Sequence, residues 1–156
     1  MQQAKVLVIS ISNPIQIGIY KENDLIETVS KEGKTSDILP CLFDEIFVKY
    51  DINEIYYVSG PGSYMAIKIA YIFLKTLSII KNIPLLAVSG FDLNNNSPIK
   101  ALGKKYFFRK NHKLNNDKIT IEFLQDTKVE PFTLPKKFNC IKYTKDTLPQ
   151  YNLPAV

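Results

Sequence analysis

The stretch Ser59-Gly60-Pro61-Gly62-Ser63-Tyr64 constrains this chain more than any other, because it converts an apolar strand directly into a long apolar helix. Gly60 and Gly62 allow backbone angles that side-chained residues resist, and Ser63 is placed to accept a hydrogen bond from a free N–H of the first helical turn. Upstream, Glu54-Ile55-Tyr56-Tyr57-Val58 reads as a strand. Downstream, the apolar residues between positions 64 and 80 surround the helix instead of striping it, which predicts cover on more than one side. Lys68 and Lys75 interrupt the run, and a bilayer crossing takes ~20 apolar residues, so a membrane span is set aside. Past Asn82, Pro84-Leu85-Leu86-Ala87-Val88 reads as a second strand. Strand, helix and strand imply a right-handed crossover and a parallel pair.

The preceding residues predict an antiparallel meander on the other side of that pair. Residues 5–11 are a β-rich run, Ser12-Asn13-Pro14 supplies a turn, and Ile15, Ile17 and Ile19 alternate with Gln16, Gly18 and Tyr20. A weaker strand over 25–30 follows the turn Lys21-Glu22-Asn23-Asp24. Between meander and parallel pair, Thr35 or Ser36 is placed to cap a helix with Asp37 in its first turn. Its apolar positions fall in two neighbouring stripes, Ile38, Leu42, Ile46 and Leu39, Phe43, Phe47, Tyr50. Pro40 removes one backbone bond and predicts a kink or a late start. The expected class is α/β, a mixed five-stranded sheet with flanking helices.

The 156 residues suit one medium domain or a domain with a small appendage, and 46% hydrophobic against 22% charged residues is an ordinary globular balance. The first residues show no signal-peptide pattern, so a cytoplasmic protein is expected. Cys41 and Cys140 lie far apart and His112 is the only histidine, which predicts no metal site. Cys41 reads as a small core hydrophobe and His112 as a solvated loop residue. Charge is divided by region: residues 1–95 carry eight Lys against ten Asp/Glu, net −2, and residues 96–156 carry twelve Lys/Arg against five Asp/Glu, net +7. We therefore expect a first lobe over 1–95 and a reduced, basic second lobe over 96–156, with strands at 105–109 and 118–123 and irregular Pro-containing chain elsewhere. Lys104, Lys105, Arg109 and Lys110, with Lys113 nearby, are its densest basic group and the candidate nucleic-acid contact; a plain solvated surface is the competing reading.

No chemical constellation is complete. A P-loop needs the Lys and hydroxyl pair that Gly60 and Gly62 lack, Met65 stands where a dinucleotide fingerprint needs its third glycine, and Ala66 lies too far on for a nucleophile elbow. Ser63 reads as a cap, not a nucleophile. Two function classes stay open: an interaction subunit, or a small nucleotide-binding enzyme whose anion site is the Gly62-Ser63 helix start. A homodimer through the apolar helices is compatible with either.

Residues 60–70, GPGSYMAIKIA, resemble the signature G-P-G-S-F-T-G-L-R-I-G of the bacterial TsaB (YeaZ) family without a gap. Val8-Ile9-Ser10-Ile11-Ser12 is similar to that family's L-D-T-S strand, Thr35-Ser36-Asp37-Ile38-Leu39-Pro40 to its H-S-E-x-L-L-P helix start, and Ile83-Pro84-Leu85-Leu86-Ala87-Val88-Ser89 to its I-P-L-x-G-V-S. Leu148-Pro149-Gln150-Tyr151 is faintly similar to the closing P-x-Y. The resemblance covers residues 4–93 well, and the chain is shorter than such relatives in the second lobe. It implies half of the actin/sugar-kinase/Hsp70 architecture, no cofactor, and a non-catalytic subunit of the machinery that places threonylcarbamoyl on N6 of adenosine 37 in tRNAs reading codons that begin with A. The implied partners are a catalytic TsaD-like paralogue and a small TsaE-like ATPase, with tRNA contacted indirectly or weakly. Active members of the wider fold carry an aspartate in the first strand where Ser10 stands here, and a serine offers no carboxylate. Pairing through two helices from each protein implies an interface of Asp37, Leu39, Phe43, Phe47, Tyr64, Ala66, Ile67, Ala70 and Phe73, with Ala66 and Ala70 in the places of signature glycines and Gly60, Pro61, Gly62 and Ser63 as the structural turn.

Overall fold

The computed structural model describes residues 2–151. Strands β1 (Gln2–Ile9), β2 (Ile15–Lys21) and β3 (Asp24–Lys31) form the meander, followed by helix α1 (Thr35–Lys49), strand β4 (Tyr50–Gly60), helix α2 (Tyr64–Lys81) and strand β5 (Leu85–Ser89). The sheet order is β3-β2-β1-β4-β5; β1 with β2 and β2 with β3 are antiparallel, and β1 with β4 and β4 with β5 are parallel. This is the mixed sheet that the sequence predicts. Beyond it, β6 (Ile99–Lys100), β7 (Lys105–Lys110) and β8 (Lys118–Phe123) make a small antiparallel sheet.

The central strands are apolar on both faces because both faces are covered. Val6 and Val8 of β1, Ile55 and Tyr57 of β4, and Leu85 and Ala87 of β5 pack with the helices, which contribute Leu39, Phe43, Ala70 and Leu74. The alternate residues Leu7, Ile9, Tyr56, Val58, Leu86 and Val88 form a second core with Phe138, Ile141, Phe132 and Leu134 from the C-terminal segment. That segment therefore does the covering where Gln16, Gly18 and Tyr20 would otherwise face water. Gln16 Nε2 donates to the Phe132 carbonyl at 3.1 Å and the Tyr20 hydroxyl to the Pro135 carbonyl at 2.6 Å. A Cβ on Gly18 would come within 3.1 Å of the Leu134 side chain, so glycine admits the segment here.

The same segment occupies both sheet edges. Leu25 N–H donates to the Lys136 carbonyl at the β3 edge, and Ala87 and Thr144 exchange two backbone bonds of 2.9 Å at the β5 edge. Each contact is a local bridge, Asp24 with Lys137 and Ala87 with Thr144, that pairs the edge strand at that point. Residues 131–151 thus lie on the first sheet, and the small sheet has its own cluster of Phe91, Ile99 and Phe107.

Several local expectations are corrected. Helix α1 begins at Thr35 with Lys34 as its N-cap and no side-chain cap bond; the Lys34 carbonyl receives the N–H groups of Asp37 and Ile38, so neither Thr35 nor Ser36 caps it. The helix runs through Pro40 without a late start. Ser63 is the N-cap of α2, but its hydroxyl makes no capping bond; its carbonyl accepts from Ile67 N–H at 3.0 Å. Cys41 is exposed, not a core residue, because it lies on the side of α1 opposite Leu39 and Phe43. The other end of α2 is as expected: Asn82 sits in the left-handed region at φ 55° and its N–H returns to the Ser78 carbonyl.

Candidate interaction site

Helix α2 buries one side only. Ile67, Ala70 and Leu74 reach the core, whereas Met65 is 57% exposed, Ile72 53% and Ile79 71%. Met65, Ile69, Ile72, Thr76 and Ile79 follow the i, i+4, i+7, i+11, i+14 spacing of a single helical stripe. The stripe borders a groove of about 360 Å³ lined by Thr35, Ser36 and Pro40 of α1 and by Ile69, Ile72, Phe73 and Thr76 of α2. Phe73 of the lining packs edge-on against Phe43 of α1 with ring centroids 5.7 Å apart, which joins the two helices. None of the described residues covers this apolar strip, and contiguous exposed apolar surface marks an interaction site.

The residues read from the sequence as an interface divide between two layers. Leu39, Phe43, Ile67 and Ala70 are buried at 0–1% exposure and belong to the chain's own core, so they support the docking face from beneath and do not line it. Asp37 is exposed, Phe47, Ala66 and Phe73 are half-buried and remain available, and Tyr64 is half-buried against Tyr151. Ala66 and Ala70 do not share an outward face, because Ala70 points at the sheet. Met65, Ile69 and Ile72 escaped the sequence reading, although their spacing with Thr76 is legible in it: a helix apolar all round does not reveal which side the sheet takes.

The signature turn is the second feature. Gly60 sits at φ 129°, where a Cβ would run into the Gln150 carbonyl oxygen. A Cβ on Gly62 would meet Ile11 Cγ2 at 2.9 Å. Gln150 N–H donates to the Ser59 carbonyl at 2.7 Å, and Tyr151 stacks on Tyr64 with centroids 4.4 Å apart. Gln150 and Tyr151 therefore lock onto the turn, and Tyr64 is committed to that contact. Burial pushes the Tyr57 hydroxyl above its ordinary range, with Tyr71, Tyr151 and Asp146 adding to the shift, and it donates to the Thr147 carbonyl.

Beside the turn lies a cleft of about 560 Å³ between Ser59, Gly60, Val88 and Ser89 on one side and Arg109, His112, Asp117 and Lys142 on the other. Its charges are largely satisfied internally. Arg109 bonds Asp92 at 2.8 Å with only 6% of its side chain exposed, and it also bonds Asn96 at 2.6 Å and lies over Phe91. His112 Nδ1 lies 2.8 Å from Asp117, so it is not a merely solvated loop residue. Ser10 is 4% exposed, and its Oγ has no hydrogen-bond partner among the described residues. No group of three or more His, Cys, Asp or Glu among the described residues could hold a metal ion.

The four predicted basic contacts do not form one patch. Lys105 and Arg109 alternate with Phe107 on the inner side of the small sheet, Lys110 is on its other side, paired with Glu122 at 2.6 Å, and Lys104 sits in the turn before β7. Strand alternation separates residues that the linear sequence shows as a cluster.

No family model matches the chain. The tRNA threonylcarbamoyladenosine biosynthesis protein TsaB of Buchnera aphidicola subsp. Acyrthosiphon pisum (strain APS) is 33% identical over 93 residues, which cover 53% of this chain and 42% of that protein. YeaZ from Pseudomonas aeruginosa superposes with a TM-score of 0.59 at 12% identity, over 99% of this chain and 72% of that one. The chain is TsaB-like in sequence and YeaZ-like in fold. The curated protein bears the family name that the signature stretch resembles. A second structure, of an uncharacterized protein with similarity to peptidase YEAZ from Pseudomonas aeruginosa, gives a TM-score of 0.55 at 14% identity over 83% of this chain and 63% of that one. The mixed-sheet fold is shared with these neighbours. The chain spans less than half the length of the curated TsaB it matches. No helix of the described residues is long and apolar enough to cross a membrane.

Proposed function

We propose that this chain is a non-catalytic subunit of tRNA threonylcarbamoyladenosine synthesis that docks a larger paralogue of the same fold, a TsaD-like transferase, through the outer side of α1 and α2. The TsaE-like ATPase joins that pair, and the modified nucleoside is adenosine 37 of tRNAs reading codons that begin with A. The observation that carries the reading is the apolar stripe Met65, Ile69, Ile72 beside the groove, which the described residues leave uncovered. Ser10 without a carboxylate, and a cleft whose Arg109 is already held by Asp92, favour a partner over chemistry in this chain.

Burying the exposed half of Met65 and of Ile72 contributes about 1 kcal/mol each to association, whereas a carboxylate placed there must be desolvated on docking. Met65→Glu with Ile72→Glu should change the stability of the lone chain by less than ~0.5 kcal/mol and weaken pairing with the transferase by a factor of about 100. Co-purification and titration calorimetry measure it. Unchanged pairing would remove this face as the site. Modification of tRNA by the lone chain, or magnesium-dependent ATP binding in its cleft, would favour the nucleotide-binding enzyme instead.

A further inference from the structure

We propose that the outer side of the small sheet is a contact surface for single-stranded RNA, with Tyr106 and Phe108 as base-stacking rings and Lys100, Lys110 and Lys118 as phosphate contacts. The strand register places these residues together. Phe107 is buried in the cluster with Phe91 and Ile99, so its neighbours Tyr106 and Phe108 stand on the opposite side of β7. Residues directly opposed in an antiparallel pair share a face, and the pairs are Lys100 with Tyr106, Tyr106 with Glu122, Phe108 with Thr120, and Lys110 with Lys118. Lys110 Nζ lies 5.7 Å from the Phe108 ring centroid and 2.6 Å from Glu122, and Thr120 bonds Glu122 at 2.5 Å, all on this one face.

Charge selects the partner. Lys110 and Lys118 stand directly opposite each other, an arrangement that costs stability unless an anion lies between or above them. Glu122 answers Lys110, and neither Lys118 nor Lys100 has an ion pair among the described residues. The face thus carries Lys100, Lys110 and Lys118 against Glu122 and the Glu130 that lines the cavity beside Tyr106, a cationic balance with two partly exposed rings at its centre. Tyr106 and Phe108 are two residues apart, about 7 Å along the strand, which suits two successive unstacked bases while phosphates run past the lysines. Ring stacking with a backbone-tracking basic border is the recognition mode of single-stranded nucleic acid. The choice of RNA over another polyanion rests on the reading of the chain as part of an RNA-modifying assembly; the surface itself is independent of the helical docking face.

The test is fluorescence anisotropy of the full chain with a labelled oligouridine of about 12 nucleotides, in parallel with an RNA duplex of equal length and with polyglutamate. Single-stranded RNA should bind, with the duplex and polyglutamate at least about tenfold weaker. Tyr106→Leu with Phe108→Leu keeps an apolar sheet and should lower affinity by about tenfold or more, with the salt dependence unchanged. Lys100→Gln with Lys118→Gln should instead flatten the slope of log affinity against log salt by about 1.4, two phosphates at about 0.7 each. Circular dichroism and thermal melting of each variant separate lost binding from lost folding, and Lys100→Gln with Lys118→Gln lies at exposed positions that leave the core intact. No binding by the parent chain, equal binding of polyglutamate, or affinity indifferent to both double variants would overturn the proposal. Met65→Glu with Ile72→Glu should leave this binding untouched, so loss of pairing and loss of RNA contact are read separately.

Discussion

Replacing Gly60 by alanine tests whether the signature turn and the chain's closing residues form one unit. At φ 129° a side-chained residue is strained by about 1–3 kcal/mol. The new Cβ also collides with the Gln150 carbonyl, and a backbone oxygen cannot rotate out of the way as a flexible side chain would. The closing segment must lift. That forfeits the bond from Gln150 N–H to the Ser59 carbonyl, about 1 kcal/mol, and the Tyr64–Tyr151 ring pair, about 0.5–1.5 kcal/mol. Gly60→Ala should therefore cost about 3–5 kcal/mol, a large share of the ~5–15 kcal/mol typical of a domain. In a chain ending at Pro149 the collision is absent, and the same substitution should cost only the strain, about 1–3 kcal/mol. Urea unfolding of the four proteins gives the coupling directly, expected near 2 kcal/mol. A coupling within about 0.5 kcal/mol of zero would refute the claim that the turn needs glycine because of what lies on it.

Phe138→Ala empties the middle of the second core, where the ring is 6% exposed and meets Tyr56 edge-on at 4.6 Å and Tyr20 at 5.1 Å; denaturant unfolding should show a loss of about 3–5 kcal/mol. Val48→Ala, at a site 78% exposed, should stay within about 0.5 kcal/mol in the same assay. Arg109→Gln removes the partner of Asp92 and the cation over Phe91, and should destabilise by about 2–4 kcal/mol; restoration by Asp92→Asn would show that the unpaired carboxylate causes the loss. Burial holds the hydroxyls of Tyr20, Tyr56 and Tyr57 above the ordinary tyrosine range, with the Glu54 hydrogen bond adding to the effect at Tyr56. Stability should thus be complete below about pH 10, the ordinary tyrosine pKa, and fall as pH rises past it, because only the unfolded chain ionises these groups freely. Ultraviolet titration should show three of the nine tyrosines ionising together with unfolding.

Local pattern determined the parts of this protein whose physics is local. Alternating Ile15, Ile17 and Ile19, the apolar runs at β1, β4 and β5, and the long helix after the Gly-Pro turn settle strand, helix and crossover, whereas the placing of β1 beside β4 is a tertiary contact. The signature stretch also carried the resemblance to TsaB, since its glycines answer a backbone requirement visible at Gly60. Tertiary structure decided everything that depends on which side of an element meets another. The sequence shows α2 apolar all round, but only the sheet's position makes Ala70 core and Ile72 surface. Lys105, Arg109 and Lys110 look like one cluster, yet the two-residue period of a strand sends Arg109 inward to Asp92 and Lys110 outward beside Phe108. The irregular, proline-containing end carries no periodic signal at all. Its role as cover for the second sheet face arises from contacts such as Phe138 with Tyr20 and Tyr56, which join residues about a hundred positions apart and leave no mark in any local window.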